Sequence, residues 1–165
     1  MPERTQQVVV NATPLIALAL IGKLDLLQHL YDEVIMPSAV EAEVFAGGPS
    51  GIGSVEIQEA TWLHAVSLQD PQRADLLVDL DRGEAEVIAL AQELNADLVI
   101  LDERLARRHA KRVGLTLTGT LGVLLKAKQV GQVDAVAPLI EQLRLGGIRL
   151  SHAVIAEVLD LADEI

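Results

Sequence analysis

Four polar side chains stand where apolar runs stop. "VVV" ends on Asn11, "PSAVEAEV" carries Glu43, "GEAEVIALA" opens with Glu84, and "LVIL" runs into Asp102. Helix periodicity indicates which acids turn inward. In "GEAEVIALAQEL" the apolar stripe is Val87, Leu90, Ala91 and Leu94, and Glu84 lies at its edge, three residues before Val87. Glu86 falls well off that stripe and Glu93 lies on the solvent side. In "DERLARRHAKRVG" the stripe is Leu105, Ala106, Ala110 and Val113. That register puts Asp102 on the buried side of the first turn. Glu103 lies about 100° round, where it can pair with Arg107. In "PSAVEAEVF", Val40 and Val44 form the ridge; Glu43 shares it and Glu41 is almost as close on the other side, so both remain candidates.

Each of these acids has a structural use, since Asp caps helices and first-turn acids favour the helix N-terminus. Gathering them is another matter. Two unit charges about 4 Å apart repel by about 4 kcal/mol at an effective dielectric near 20. Either the acids diverge or a divalent cation binds between them. With no Cys in the chain and no His at ligand spacing, the ligands are all oxygen, which points to Mg²⁺ or Mn²⁺ and away from zinc.

The elements that must position these groups follow from pattern. Strands are expected at Val8 to Val10, Glu33 to Met36, Leu98 to Leu101 and Leu115 to Leu117, with a short one around Leu63 to Val66. Thr13 and Pro14 read as N-cap and first residue of a helix, which leaves Asn11 two positions too early to cap. Further helices are expected over Lys23 to Tyr31, from Pro37 and Ser38 through Phe45, and over Gln72 to Leu80, Gly83 to Leu94, Asp102 to Val113, Thr120 to Gln129 and Asp134 to Leu145. Ser151 caps a last helix to about Ala162. "GGPSGIGS", residues 47 to 54, reads as a loop. The alternation of strand and helix predicts an α/β fold with a parallel sheet. Ligands of such sheets bind at the carboxyl ends of the strands, where Asn11 and Asp102 stand.

The 165 residues fit one domain, 1–165, with 131–165 as a helical tail packed on it. No apolar run is long enough to span a membrane, and "MPERTQQ" lacks the pattern of a signal peptide. Absence of Cys is compatible with the cytoplasm. The net charge of −11 excludes nucleic-acid binding through overall charge, so any such contact must be local. "RLARRHAKR", residues 104 to 112, concentrates Arg104, Arg107, Arg108, Lys111 and Arg112 on the outer face of one helix beside Asp102, and can steer phosphate there. One Trp, one Tyr and one Phe leave little for base stacking. Other hydrolase chemistries fail. There is no G-x-S-x-G, His29, His64, His109 and His152 have no nucleophile partner, and Asn11 cannot be a phosphoacceptor. The glycine-rich loop lacks the Lys and Ser/Thr of a P-loop.

In this order, "VVVNATPLIAL", "EVIMPSAVEAEV", "GEAEVIALA", "LVILDERLAR" and "TGTLGVLLKAK" resemble the PIN-domain family. The "GIRLS…VL" tail is similar to a prokaryotic VapC-like branch of toxins and nucleases, often paired with small antitoxins. The resemblance runs from Val8 to about Leu161, with little carried between Gly47 and Leu80. It implies a three-layer α/β/α PIN-like fold and a Mg²⁺- or Mn²⁺-dependent endoribonuclease. The acidic positions of the family fall on Asn11, Glu43, Glu84 and Asp102, with Glu43, Glu84 and Asp102 as the metal ligands. Thr13 matches the hydroxyl residue two after the first acid, and with Arg104, Arg107 and Arg108 it is expected to meet substrate. The resemblance also implies an RNA substrate, a small antitoxin partner and a homodimer. Asn11 departs from the usual Asp: an amide can bind a hard cation but supplies no charge. The alternative is a catalytically weakened module that binds RNA or a protein partner.

Overall fold

The computed structural model describes residues 5–46 and 51–165. β1 (Gln7–Val10) is followed by α1 (Ala12–Leu20) and α2 (Leu26–Leu30), and β2 (Glu33–Pro37) by α3 (Ser38–Phe45) and α4 (Ser54–Glu59). After β3 (Leu63–Val66) come α5 (Gln72–Asp75) and α6 (Arg82–Leu94). β4 (Leu98–Ile100) leads through α7 (Arg104–Arg112) to β5 (Leu117–Thr118). Then α8 (Thr120–Gln129), α9 (Ala137–Leu145) and α10 (His152–Leu161) complete the chain.

The five strands form one parallel sheet in the order β3-β2-β1-β4-β5, covered by helices as a three-layer α/β/α sandwich. Val8, Val9 and Val10 are each 0% exposed, as a central parallel strand with helices on both faces requires. Burying one such valine contributes up to about 1.5–3 kcal/mol. β1 pairs with β2 on one side (Val8 with Val34) and with β4 on the other (Val10 with Ile100). The chain first winds outward through β2 and β3, then crosses back to β4 and β5. The crevice between β1 and β4 is therefore the topological switch point, where open α/β sheets bind ligands. α6 carries the return crossover, packing on β1, β2 and β4 and against α3, α5 and α7. α8 packs against α1, α2 and α10.

Several boundaries differ from those expected of the sequence. α1 begins at Ala12, so Asn11 occupies the N-cap position and Thr13 lies inside the first turn, exposed. Pro14 is tolerated there because an N–H in the first turn has no intrahelical partner to lose. The helix expected over Lys23 to Tyr31 shrinks to α2, since Gly22 closes α1 in the left-handed region and Lys23 donates back to Leu18 O. The helix expected over Gln72 to Leu80 stops at Asp75. Leu76 and Val78 beyond it are 81% and 87% exposed, with no apolar surface to cover them. α7 starts at Arg104, leaving Asp102 in the preceding loop and exposed rather than on the buried side of the first turn, because it turns to cap α8 instead. β5 is displaced to Leu117–Thr118, and α9 starts at Ala137. Of the expected 47–54 loop, residues 47–50 lie outside the described residues, and Ser54 already belongs to α4. Among the described residues, no helix is long and apolar enough to cross a membrane.

Candidate active site

Asn11 stands at the carboxyl end of β1. Its backbone N–H donates to Ile100 O at 3.0 Å, tying the strand end to β4. The residue is 5% exposed, and its side chain makes no capping hydrogen bond although it sits at the N-cap. Thus the cap position is occupied while the amide remains available at the switch point.

Glu84 stands at the start of α6, within reach of the charge of Glu103, which follows β4. Asp81 and Glu84 form a capping box: Glu84 N–H donates to Asp81 Oδ1 at 2.8 Å, and Asp81 N–H donates to Glu84 Oε1 at 3.2 Å. Glu84 is 8% exposed. Burial pushes its carboxyl up to about 7, and the charges of Asp81 and Glu103 add to the rise. Glu43 reaches toward the same helix end from α3. A Cβ on Gly83 would lie 3.3 Å from Glu43 Oε1 and 3.6 Å from Asp81 Oδ1, so glycine lets α3 and its carboxylate come close. Burial and the Asp81 charge raise the Glu43 carboxyl as well. Glu41, which periodicity puts level with Glu43, lines a separate hollow with Met36, Phe45 and Ile57.

Asp102 is held from the other side. Its Oδ1 accepts Thr120 N–H at 2.7 Å and its Oδ2 accepts the Thr120 hydroxyl at 2.5 Å. This carboxylate thus caps α8 across the β4–β5 edge of the crevice. Glu103, rather than Asp102, caps α7, accepting Ala106 N–H at 2.8 Å. The expected Glu103–Arg107 pairing is not formed: Arg107 Nη1 donates to Leu101 O at 2.7 Å. Arg104, Arg107 and Arg108 line a groove that begins at Asp102, whereas exposed Thr13 lines neither this groove nor the hollow at Glu41. His109 bonds Asp79 Oδ2 at 3.0 Å and takes no part in the site.

Two further acids of this helix end, Asp81 and Glu86, are not marked by the apolar stripe of α6. Asp81 is legible in principle, because Asp81-x-x-Glu84 before an apolar run is a capping-box pattern. Glu86 is not: it is 9% exposed, though the helical wheel places it off the apolar stripe. α6 is buried from Gly83 through Ala91, so a single-stripe wheel does not describe it. Glu86 is satisfied structurally, accepting Ala39 N–H at 3.1 Å and Arg82 Nε at 2.9 Å. It serves the start of α3, whose own N-cap, Pro37, has no side-chain acceptor.

The carboxylates thus fall into two sets, Glu43, Asp81, Glu84 and Glu103 on one side and Asp102 with Thr120 on the other. Among the described residues, no three His, Cys, Asp or Glu side chains are grouped so as to hold a metal ion. The chemistry of the donors nonetheless fits a hard divalent cation. All are oxygens; burial first, then neighbouring acids, raises Glu84 and Glu43, and a cation beside them would favour their ionised forms. Such an ion held by one or two carboxylates, with waters completing its shell, is the arrangement Mg²⁺ favours.

A family model described as a PIN domain matches residues 7–164. No curated protein matches the chain.

Proposed function

The chain belongs to the PIN-domain family, and from that premise we propose that it is a Mg²⁺- or Mn²⁺-dependent endoribonuclease. The observation that carries this reading is Glu84: a buried carboxyl among other acids, raised by burial and by the charges of Asp81 and Glu103. Members of this family are generally metal-dependent nucleases, and a divalent cation is what such a carboxyl lacks. Glu84, Glu43 and Asp102 would hold the ion, directly or through waters. When bound, the ion lowers the pKa of a water and stabilises charge on the scissile phosphate. Asn11 orients the attacking water or the phosphate through its amide, with Thr13 as a further substrate contact. Asp81 fixes Glu84 through the capping box, and Thr120 fixes Asp102. Arg104, Arg107 and Arg108 attract the RNA backbone that the acidic surface would otherwise repel.

Replacing Glu84 or Asp102 with Ala is expected to lower Mn²⁺-dependent cleavage of RNA by about a hundredfold or more, the scale of losing a charge-stabilising group. Unchanged cleavage in both variants removes the assignment. A second reading is favoured by Asn11 itself, whose neutral amide replaces the usual first acid: a weakened module that binds RNA without cutting it. Calorimetry with Mn²⁺ separates the two, since heat of binding that Glu84→Ala abolishes supports the nuclease. The toxin role and an antitoxin partner are supported by the resemblance of the tail alone, and a homodimer by the Leu- and Ala-rich helices, the low aromatic content and the habit of PIN-like proteins. Growth arrest on expression, relieved by Glu84→Ala, tests the first of them.

A further inference from the structure

α7 carries Arg104, Arg107, Arg108 and Lys111 at i, i+3, i+4 and i+7, one face of a helix. That face is exposed at Arg104, Arg108 and Lys111 and half-buried at Arg107. It forms one wall of a groove of about 580 Å³ whose other wall is the start of α10, at Ser151 and Val154. Arg112, on the same helix, does not line it. The chain carries −11, yet none of these four cations is among the ion pairs of the described residues. Arg107 alone has a fixed protein partner, Leu101 O. The row from Arg104 to Lys111 is about 10 Å long, enough to meet more than one phosphate of a strand. The groove opens on Asp102. Beyond Asp102, Arg107 and Val154 it continues into a second hollow between α8 and α10, floored by Leu117, Leu121, Leu125 and Val158, with Glu157 also lining it.

We propose that this groove is the track for the phosphodiester backbone of a single-stranded nucleic acid, leading away from Asp102 with the helical tail as its second wall. The unpartnered cations call for a polyanion. A phosphate chain fits better than an acidic peptide, because four cations along one wall match a backbone charged at every unit, while among the described lining residues Val154 is the one apolar side chain of the groove itself. The apolar hollow beside it can take a base only if the base is unstacked, which selects a single strand over a duplex. That the strand is RNA rests on the ribonuclease reading above. The tail, on this view, is part of the binding apparatus, and Lys111 and Val154 join it.

The test is fluorescence anisotropy of a labelled oligouridylate against the full chain in EDTA, across a salt series. Arg108→Ala with Lys111→Ala should weaken binding several-fold. It should also reduce the slope of log K against log salt by about 1.4, near 0.7 for each phosphate of a single strand that is no longer neutralised. Val154→Glu, an exposed position, should weaken binding from the α10 wall without touching α7. Arg112→Ala should change nothing, and a duplex of the same length should compete poorly. Unchanged affinity and slope in the double variant, or an equal drop in Arg112→Ala, overturns the groove. So does a polyglutamate peptide that displaces the RNA as effectively as unlabelled oligouridylate. If the wild type cleaves with Mn²⁺ while the groove variants bind and cleave normally, the groove fails and the ribonuclease reading stands. Groove-dependent binding without any cleavage leaves the groove standing and removes the ribonuclease.

Discussion

Asn11 and Thr120 act on the site from opposite sides of β4, one following β1 and the other following β5. Asn11 holds an N-cap position without capping, so an Asp there would sacrifice no hydrogen bond of the fold and would add charge at a helix N-terminus, where it is favoured. Asn11→Asp is therefore expected to cleave RNA with Mn²⁺ as fast as the wild type or faster. A drop in cleavage would assign the amide a role of its own. Thr120 is 1% exposed and gives both its N–H and its hydroxyl to Asp102. Removing a hydrogen bond to a charged group costs about 1.5–3 kcal/mol. Thr120→Ala should accordingly lower kcat by about tenfold or more while KM moves little, and Thr120→Ser should restore it. A general weakening of the fold would not be rescued in this way. The same interaction explains the glycine in "TGT". Gly119 has ordinary extended dihedrals, but a Cβ there would lie 2.5 Å from Asp102 Oδ1.

At the scale of elements, Glu164 ties the two tail helices to each other and, through Lys128, to α8, beside the packing of α10 on α8. Glu164 accepts Val136 N–H and Ala137 N–H, each at 2.8 Å, and so caps α9 from the far end of the chain. Lys128 Nζ of α8 donates to both Glu164 Oε2 and Ala162 O. The backbone donors, with Lys128 after them, hold the Glu164 carboxyl down to about 2. Glu164→Gln should lower Tm at neutral pH and weaken oligouridylate binding, because α10 is the outer wall of the groove. A variant with unchanged Tm would show that the tail is held by its apolar packing alone. No local pattern marks this cap: the acceptor is 27 residues from its donor Ala137. What pattern can reach is the order of strands and helices and the one-sided helix α7, whose cationic face is visible as spacing. It fails where competition decides. Asp102 and Glu103 can both cap α7, and Thr120, 18 residues on, takes Asp102 for α8 and leaves Glu103 the cap. Asn11 and Thr13 compete likewise for the start of α1, and the end of β1, tied to Ile100, fixes the outcome.

For the molecule as a whole, the two most strongly shifted carboxyls, Glu84 and Glu164, shape stability in opposite pH ranges. Glu164 has a folded pKa of about 2 against an ordinary 4.5, so the folded state releases its proton more readily than the unfolded state. Its contribution is present above pH 4.5 and is lost as pH falls from 4.5 toward 2. Glu84 is the reverse: at about 7 against 4.5, the folded state holds its proton more tightly. Stability must then fall as pH rises through that window and level off above it, by about 1–3 kcal/mol once solvent screening is allowed for. These two contributions taken together are most favourable at about pH 5 in the absence of metal. That maximum lies near the isoelectric point of 4.7, where overall self-repulsion is also least, so a pH curve of the wild type alone does not identify the cause. Glu84→Gln does. Gln keeps the capping box with Asp81 and removes only the charge. Thermal unfolding in EDTA should show the wild type losing Tm between pH 5 and 7 by several degrees more than Glu84→Gln. Saturating Mn²⁺ should recover that difference in the wild type and leave the variant unmoved, since a cation beside Glu84 favours the ionised carboxylate. Parallel curves for the two proteins, with and without Mn²⁺, would mean that the burden at high pH comes from net charge and that Glu84 is not where the cation binds.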